Sequence, residues 1–101
     1  MLTNHVDVPQ DRLAEFCRRW QIQEMALFGS VLHDDFGRDS DVDVLVSFSA
    51  AALWDSWDLL RAQDELRAIF GREVDLVEER NLTNPFRRHA ILSTKQVIYG
   101  A

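Results

Sequence analysis

Ten residues, 31–40, separate Gly29-Ser30 from the pair Asp41-Val42-Asp43, and a further aspartate interrupts the apolar run Val74-Asp75-Leu76-Val77. Glycine lets a backbone approach a phosphate closely. The Ser30 hydroxyl and amide would add donors at the start of a helical turn, a natural anion site. Asp41 and Asp43, two apart on a strand, project from one face with Cα atoms roughly 6.6 Å apart. Without a cation, carboxylates so placed repel each other. Mg²⁺ suits them, because it takes a few carboxylate oxygens and keeps its remaining waters. Asp75 is the candidate third carboxylate, since an aspartate inside an apolar strand is costly to bury unless it pairs or binds a metal. Transfer of a nucleotidyl group from a nucleoside triphosphate needs these parts. The triphosphate must be cradled, two divalent ions about 4 Å apart must neutralise it, and an acceptor oxygen must line up with the α-phosphorus.

Taken singly, each signal has an ordinary explanation. Gly-Ser is usually a capped turn, Asp-x-Asp a solvated strand entrance, and a lone strand aspartate an edge or bulge residue. The reading rests on their joint spacing. Asp39, Asp41 and Asp43 also alternate like the first ligands of an EF-hand loop, but Val44 and Ala50 stand where that loop needs Gly and Glu. His5, His33, His89 and Cys17 show no zinc-finger spacing.

The elements that must position these residues follow from periodicity. Leu13, Phe16, Cys17 and Trp20 form a helical stripe after Pro9, predicting a helix over 9–20. Glu24 to Phe28 predicts a strand that turns at Gly29, and 31–40 a polar connection with one helical turn after Ser30. From Asp41 to Phe48 the period is two: Asp41, Asp43 and Leu45 share one face, Val42, Val44 and Val46 the other. The longest helix is predicted over 53–70, with Leu59, Ala62, Gln63, Leu66, Ile69 and Phe70 as its stripe and Gly71 as its C-cap. A strand over 72–78, a helix opening at Asn84-Pro85 and running to about Thr94, and an edge strand over 96–99 complete the chain. The fold class is α/β (α+β), a small mixed β-sheet flanked by helices.

At 101 residues the chain reads as a single domain, 1–101. A composition 47% hydrophobic and 28% charged is that of a folded protein, and a net charge of −6 argues against a broad nucleic-acid-binding face. The charge suits a metal-loaded acidic pocket or a basic protein partner. The one cysteine, Cys17, excludes an internal disulfide and is expected to be a buried thiol. Neither a signal peptide nor a membrane span is visible, so the expected location is the cytoplasm.

On Gly29-Ser30, the ten-residue gap, Asp41-x-Asp43, Asp75, the long helix ending Ile69-Phe70-Gly71 and the terminal Ile98-Tyr99, the chain resembles the minimal nucleotidyltransferase (MNT) family of the DNA polymerase beta superfamily. The resemblance implies a polymerase-beta-like nucleotidyltransferase fold, with ATP as substrate and two Mg²⁺ ions as cofactors. Asp41, Asp43 and Asp75 would be the catalytic and metal residues, Asp75 also helping to deprotonate the acceptor. Gly29 and Ser30 would hold the triphosphate. Members of this size are commonly antitoxins that transfer AMP to a tyrosine of a HEPT-domain toxin, itself an RNase. A protein of this length has no room for a separate acceptor domain, so a hetero-oligomer with the toxin is expected. Two other readings stay open: an antitoxin that masks its toxin by binding alone, and a transferase acting on a small molecule such as an antibiotic.

The chain departs from the family in one place. Basic residues often follow Gly-Ser there, whereas Val31, Leu32, His33, Asp34 and Asp35 follow here. His33 and Arg38 are the candidates to reach the phosphates instead. Trp54 and Trp57 either cover the core or form a partner surface, and Arg87, Arg88 and His89 either form a solvated face or contact nucleotide or an acidic partner.

Overall fold

Alternation along Val42 to Phe48 divides one strand between two cores, and the molecule is built around that division. The structure, a computed structural model, describes residues 2–3, 6–32, 37 and 40–100. A two-stranded antiparallel hairpin, β1 (Leu2–Thr3) and β2 (Val6–Asp7), precedes helix α1 (Gln10–Arg19). Strands β3 (Ile22–Phe28) and β4 (Val42–Phe48), helix α2 (Ser56–Phe70), strand β5 (Val74–Glu78), helix α3 (Pro85–Thr94) and strand β6 (Gln96–Gly100) follow. The four long strands form one mixed sheet in the order β5-β4-β3-β6. β3 pairs antiparallel with β4 and β6, whereas β4 and β5 run parallel, as a strand pair joined through a helix can.

On one face, Met25, Leu27, Val42, Val44 and Val46 pack against Leu13, Phe16 and Cys17 of α1 and Ala62 and Leu66 of α2. On the other, Ala26, Phe28 and Leu45 meet Leu82 and Ile91, so α3 covers that side. Each fully buried Leu or Phe contributes on the order of 1.5–3 kcal/mol by leaving water, enough to fix which face each strand presents.

The long helix starts at Ser56, three residues later than the predicted range of 53–70. A capping box decides the start: Asp55 accepts from the Asp58 amide at 2.8 Å, and the Asp58 carboxylate accepts from the Asp55 amide at 3.1 Å. Leu53 lies before that cap and is 92% exposed. Gly71 ends the helix in the left-handed region at φ 68°, as predicted. β3 begins two residues earlier than its apolar run, and the β1–β2 hairpin was not anticipated; two-residue strands carry no periodicity to read.

Trp54 belongs to the core rather than to a partner surface. Its ring stacks edge-on to Trp20 at 4.8 Å and its indole N–H donates to the Trp20 carbonyl at 2.8 Å. Trp57, one turn further, is 76% exposed. Burial pushes the Cys17 thiol up to about 12, with Arg18 pulling the other way, as befits a buried core residue.

Candidate active site

β3 ends at Phe28, the register partner of Asp43 on β4, so the chain turns at Gly29 beside that carboxylate. Gly29 takes φ 74° and opens a short 3₁₀ turn over Gly29–Leu32, pinned by the fully buried Val31. The Ser30 amide donates to the Asp43 carboxylate. A Cβ on Gly29 would lie closer than 3.0 Å to Asp43 Oδ2 and 3.3 Å from its Cγ. Glycine is required here both by the backbone angle and by the approach of the carboxylate.

The parallel pairing of β4 with β5 places Asp75 level with Asp43, and Val42 level with Val74. Val42 and Val74 belong to the α1/α2 core, so Asp43 and Asp75 share the opposite face, the one that α3 covers. Asp41 precedes β4 and is exposed; Asp43 is half-buried. Asp75 is exposed on the edge strand β5. Asp75 is thus an edge residue, the ordinary reading of a lone strand aspartate: β5 has a neighbour on one side only, and solvent reaches the Asp75 carboxylate. Register, not burial, links Asp75 to Asp43.

Electrostatics converge on Asp43. Its carboxyl is held above the ordinary carboxylate range, chiefly by burial and next by the charge of Asp75, with Asp41 adding to the effect. The Ser30 amide and the Arg87 guanidinium act the other way. Among the described residues, no three carboxylate, imidazole or thiol groups converge closely enough to enclose a metal ion. The aspartates instead form an open acidic end of the sheet. Such an arrangement fits Mg²⁺, which keeps several waters and takes one or two protein carboxylates, and a cation would relieve the repulsion that Asp43 bears.

Next to this end runs a groove of about 420 Å³, lined by Phe28, Gly29 and Leu32 on one wall and Ala90, Ile91 and Thr94 of α3 on the other. The structure thus brings Gly29, Ser30, Asp43 and Asp75 together, with Asp41 at the strand entrance. His33 and Arg38 lie outside the described residues. α3 was not predicted as a wall of the site, although Arg87, Ala90, Ile91 and Thr94 share a helical face by their spacing. Within the basic cluster, Arg88 is tied to the Glu79 carbonyl at 3.2 Å, whereas Arg87 and His89 are exposed.

Three comparisons bear on this arrangement. The model of the nucleotidyltransferase domain family matches residues 11–98. The protein adenylyltransferase MntA of Thermococcus cleftensis is 28% identical over 85 residues, covering 84% of this chain and 81% of that protein. Two solved structures share the fold. One, described as a candidate minimal nucleotidyltransferase, is 30% identical with a TM-score of 0.69, covering 89% of this chain and 87% of its own. The other, a complex of a tri-AMPylated Shewanella oneidensis HEPN toxin with an MNT antitoxin, aligns at 20% identity and a TM-score of 0.64, covering 91% of this chain and 70% of its own.

Proposed function

The chain belongs to the nucleotidyltransferase domain family, and from that premise we propose that it is an antitoxin acting as a Mg²⁺-dependent protein adenylyltransferase. It moves AMP from ATP to a tyrosine of a HEPT-domain toxin with which it forms a hetero-oligomer. The observation that carries the reading is the juxtaposition of the Gly29-Ser30 turn with Asp43, itself level with Asp75. The names of two relatives support the substrate and partner: one is a protein adenylyltransferase, the other stands in complex with an AMPylated toxin.

In this mechanism Gly29 lets the triphosphate approach the backbone, and Ser30 offers its hydroxyl to it while its amide holds Asp43 in place. Asp41, Asp43 and Asp75 would hold two Mg²⁺ ions, which neutralise charge on the triphosphate when bound. The acceptor oxygen attacks the α-phosphorus, the bond from that phosphorus to the oxygen bridging the β-phosphate breaks, and pyrophosphate leaves. Asp75 is exposed and adjacent to Asp43, placed to take the acceptor's proton. Arg38 is a further candidate for the triphosphate. Residues 1–101 act as one minimal domain, in the cytoplasm where ATP is available; among the described residues no helix is long and apolar enough to cross a membrane.

The test is the intact mass of the toxin co-expressed with the wild-type chain or with Asp41→Asn/Asp43→Asn. Mass increments of whole AMP units, seen with the wild type alone, would support the proposal. A toxin left unmodified yet silenced by both versions would replace it with a masking antitoxin. The burial of Val31, which removes the position after Ser30 from contact with phosphates, gives that second reading its weight. Transfer to a small molecule without any protein partner would instead restore the antibiotic-modifying reading.

A further inference from the structure

A triphosphate brought to three carboxylates needs a cation from the chain as well as metal ions. The turn after Ser30 supplies none among its described residues, since Val31 is fully buried and Leu32 packs on the same core. α3 offers one instead. Arg87 stands one turn before Ala90 and Ile91 and two turns before Thr94, on the helical face that forms the groove wall opposite Gly29. Its side chain is exposed. Among the described residues its guanidinium has no ion-pair or hydrogen-bond partner, whereas the neighbouring Arg88 is committed to Glu79. The charge of Arg87 is felt at Asp43 although the two form no ion pair.

We propose that Arg87 grips the β- and γ-phosphates of the incoming ATP from α3, across the groove from Gly29, and stays with the pyrophosphate as it leaves. The inference rests on the transferase reading above and names a phosphate-binding residue within that site. Arg is suited to the task because its planar fork donates two parallel hydrogen bonds to phosphate oxygens and is always charged. Asn84 supports it locally: the Asn84 side chain caps α3 by accepting from the Arg87 amide at 3.1 Å, so the backbone at Arg87 is held while the side chain remains free to reach.

The experiment is titration calorimetry of the full chain with ATP and with AMP in the presence of Mg²⁺. The proteins are the wild type, Arg87→Ala, Arg87→Lys and the control Arg88→Ala. Arg87→Ala should weaken ATP binding about 10- to 100-fold, with AMP affected only about twofold, because AMP lacks the phosphates in question. Arg87→Lys should recover part of the loss, and Arg88→Ala should bind ATP like the wild type. Thermal melting of Arg87→Ala should match the wild type; were that variant not to fold, Arg87→Gln gives the same readout. Unchanged ATP affinity in Arg87→Ala, or equal loss for ATP and AMP, overturns the inference while leaving the transferase reading intact. A wild-type chain that does not bind ATP overturns both.

Discussion

Gly29 and Gly71 make a matched pair for testing the site. Both sit in the left-handed region, at φ 74° and φ 68°, so an alanine at either carries the same backbone strain of about 1–2 kcal/mol. Their surroundings differ. A Cβ at Gly71 meets nothing within 4 Å, while a Cβ at Gly29 overlaps the Asp43 carboxylate. Gly71→Ala should therefore cost about 1–2 kcal/mol, a fall in Tm of about 4–8 °C per kcal/mol for a domain of this size, and nothing else. Gly29→Ala carries that strain and must also swing Asp43 away from the Ser30 amide. Losing that hydrogen bond adds roughly 1 kcal/mol, since the half-buried carboxylate regains some water. The larger consequence is catalytic: a displacement of about 1 Å in a reacting group costs on the order of 100-fold in rate. Thermal melting and AMP incorporation into the partner, read by intact mass over time, would be measured for both variants. The expected pattern is a melting loss in Gly29→Ala about 4–8 °C larger than in Gly71→Ala, with transfer abolished only in Gly29→Ala. Transfer by Gly29→Ala at the wild-type rate, or an equal loss in Gly71→Ala, would refute the argument that Gly29 exists to admit Asp43.

Other perturbations follow from the same structure. Asp43 has a raised pKa in the folded chain, so the folded state binds more protons than the unfolded one over the window that opens at the ordinary carboxylate value of 3.8. Stability of the metal-free protein should fall as pH rises through that window, and Asp43→Asn should flatten the dependence in urea melts taken across pH 3.5 to 7. The Cys17 thiol, raised by burial from 9.0 to about 12, should resist Ellman's reagent at pH 8 until denaturant is added, and stability should decline above pH 9 as the unfolded thiol ionises; prompt labelling of the native chain would contradict its burial. Asp55→Ala, which removes the capping box, should cost about 1 kcal/mol in chemical denaturation and leave transfer unchanged.

Much of the fold was legible because it is written locally. The alternation of Val42, Val44 and Val46 against Asp43 and Leu45 assigns strand and faces in one stroke, and both cores obey it. The stripe through Ala62 and Leu66, Gly71 at the helix end and Asn84-Pro85 at the next helix start are equally local. Where the reading slipped, another local signal competed. The predicted helix began at Leu53, but Asp55 and Asp58 form a box that sets the helix start after it.

For the site, residue types and spacing alone put forward Gly29, Ser30, Asp41 and Asp43 as a set, and the turn at Gly29 lies beside Asp43 because β3 and β4 are neighbours in sequence and pair antiparallel. Asp75 could be named but not placed. Its position beside Asp43 depends on the parallel register of β4 and β5, which α2 imposes by burying Ala62 and Leu66 against one face of the sheet. Its exposure depends on β5 having no further neighbour in the sheet. Arg87 could not be told from Arg88 by composition; only the seating of α3 through Ile91 pairs Arg88 with Glu79 and leaves Arg87 exposed, with its charge felt at Asp43. Sequence by itself determined the chemistry on offer, since that resides in side chains and short spacings. Tertiary structure decided which groups meet, because register and helix placement are set by burying apolar faces that lie far apart along the chain.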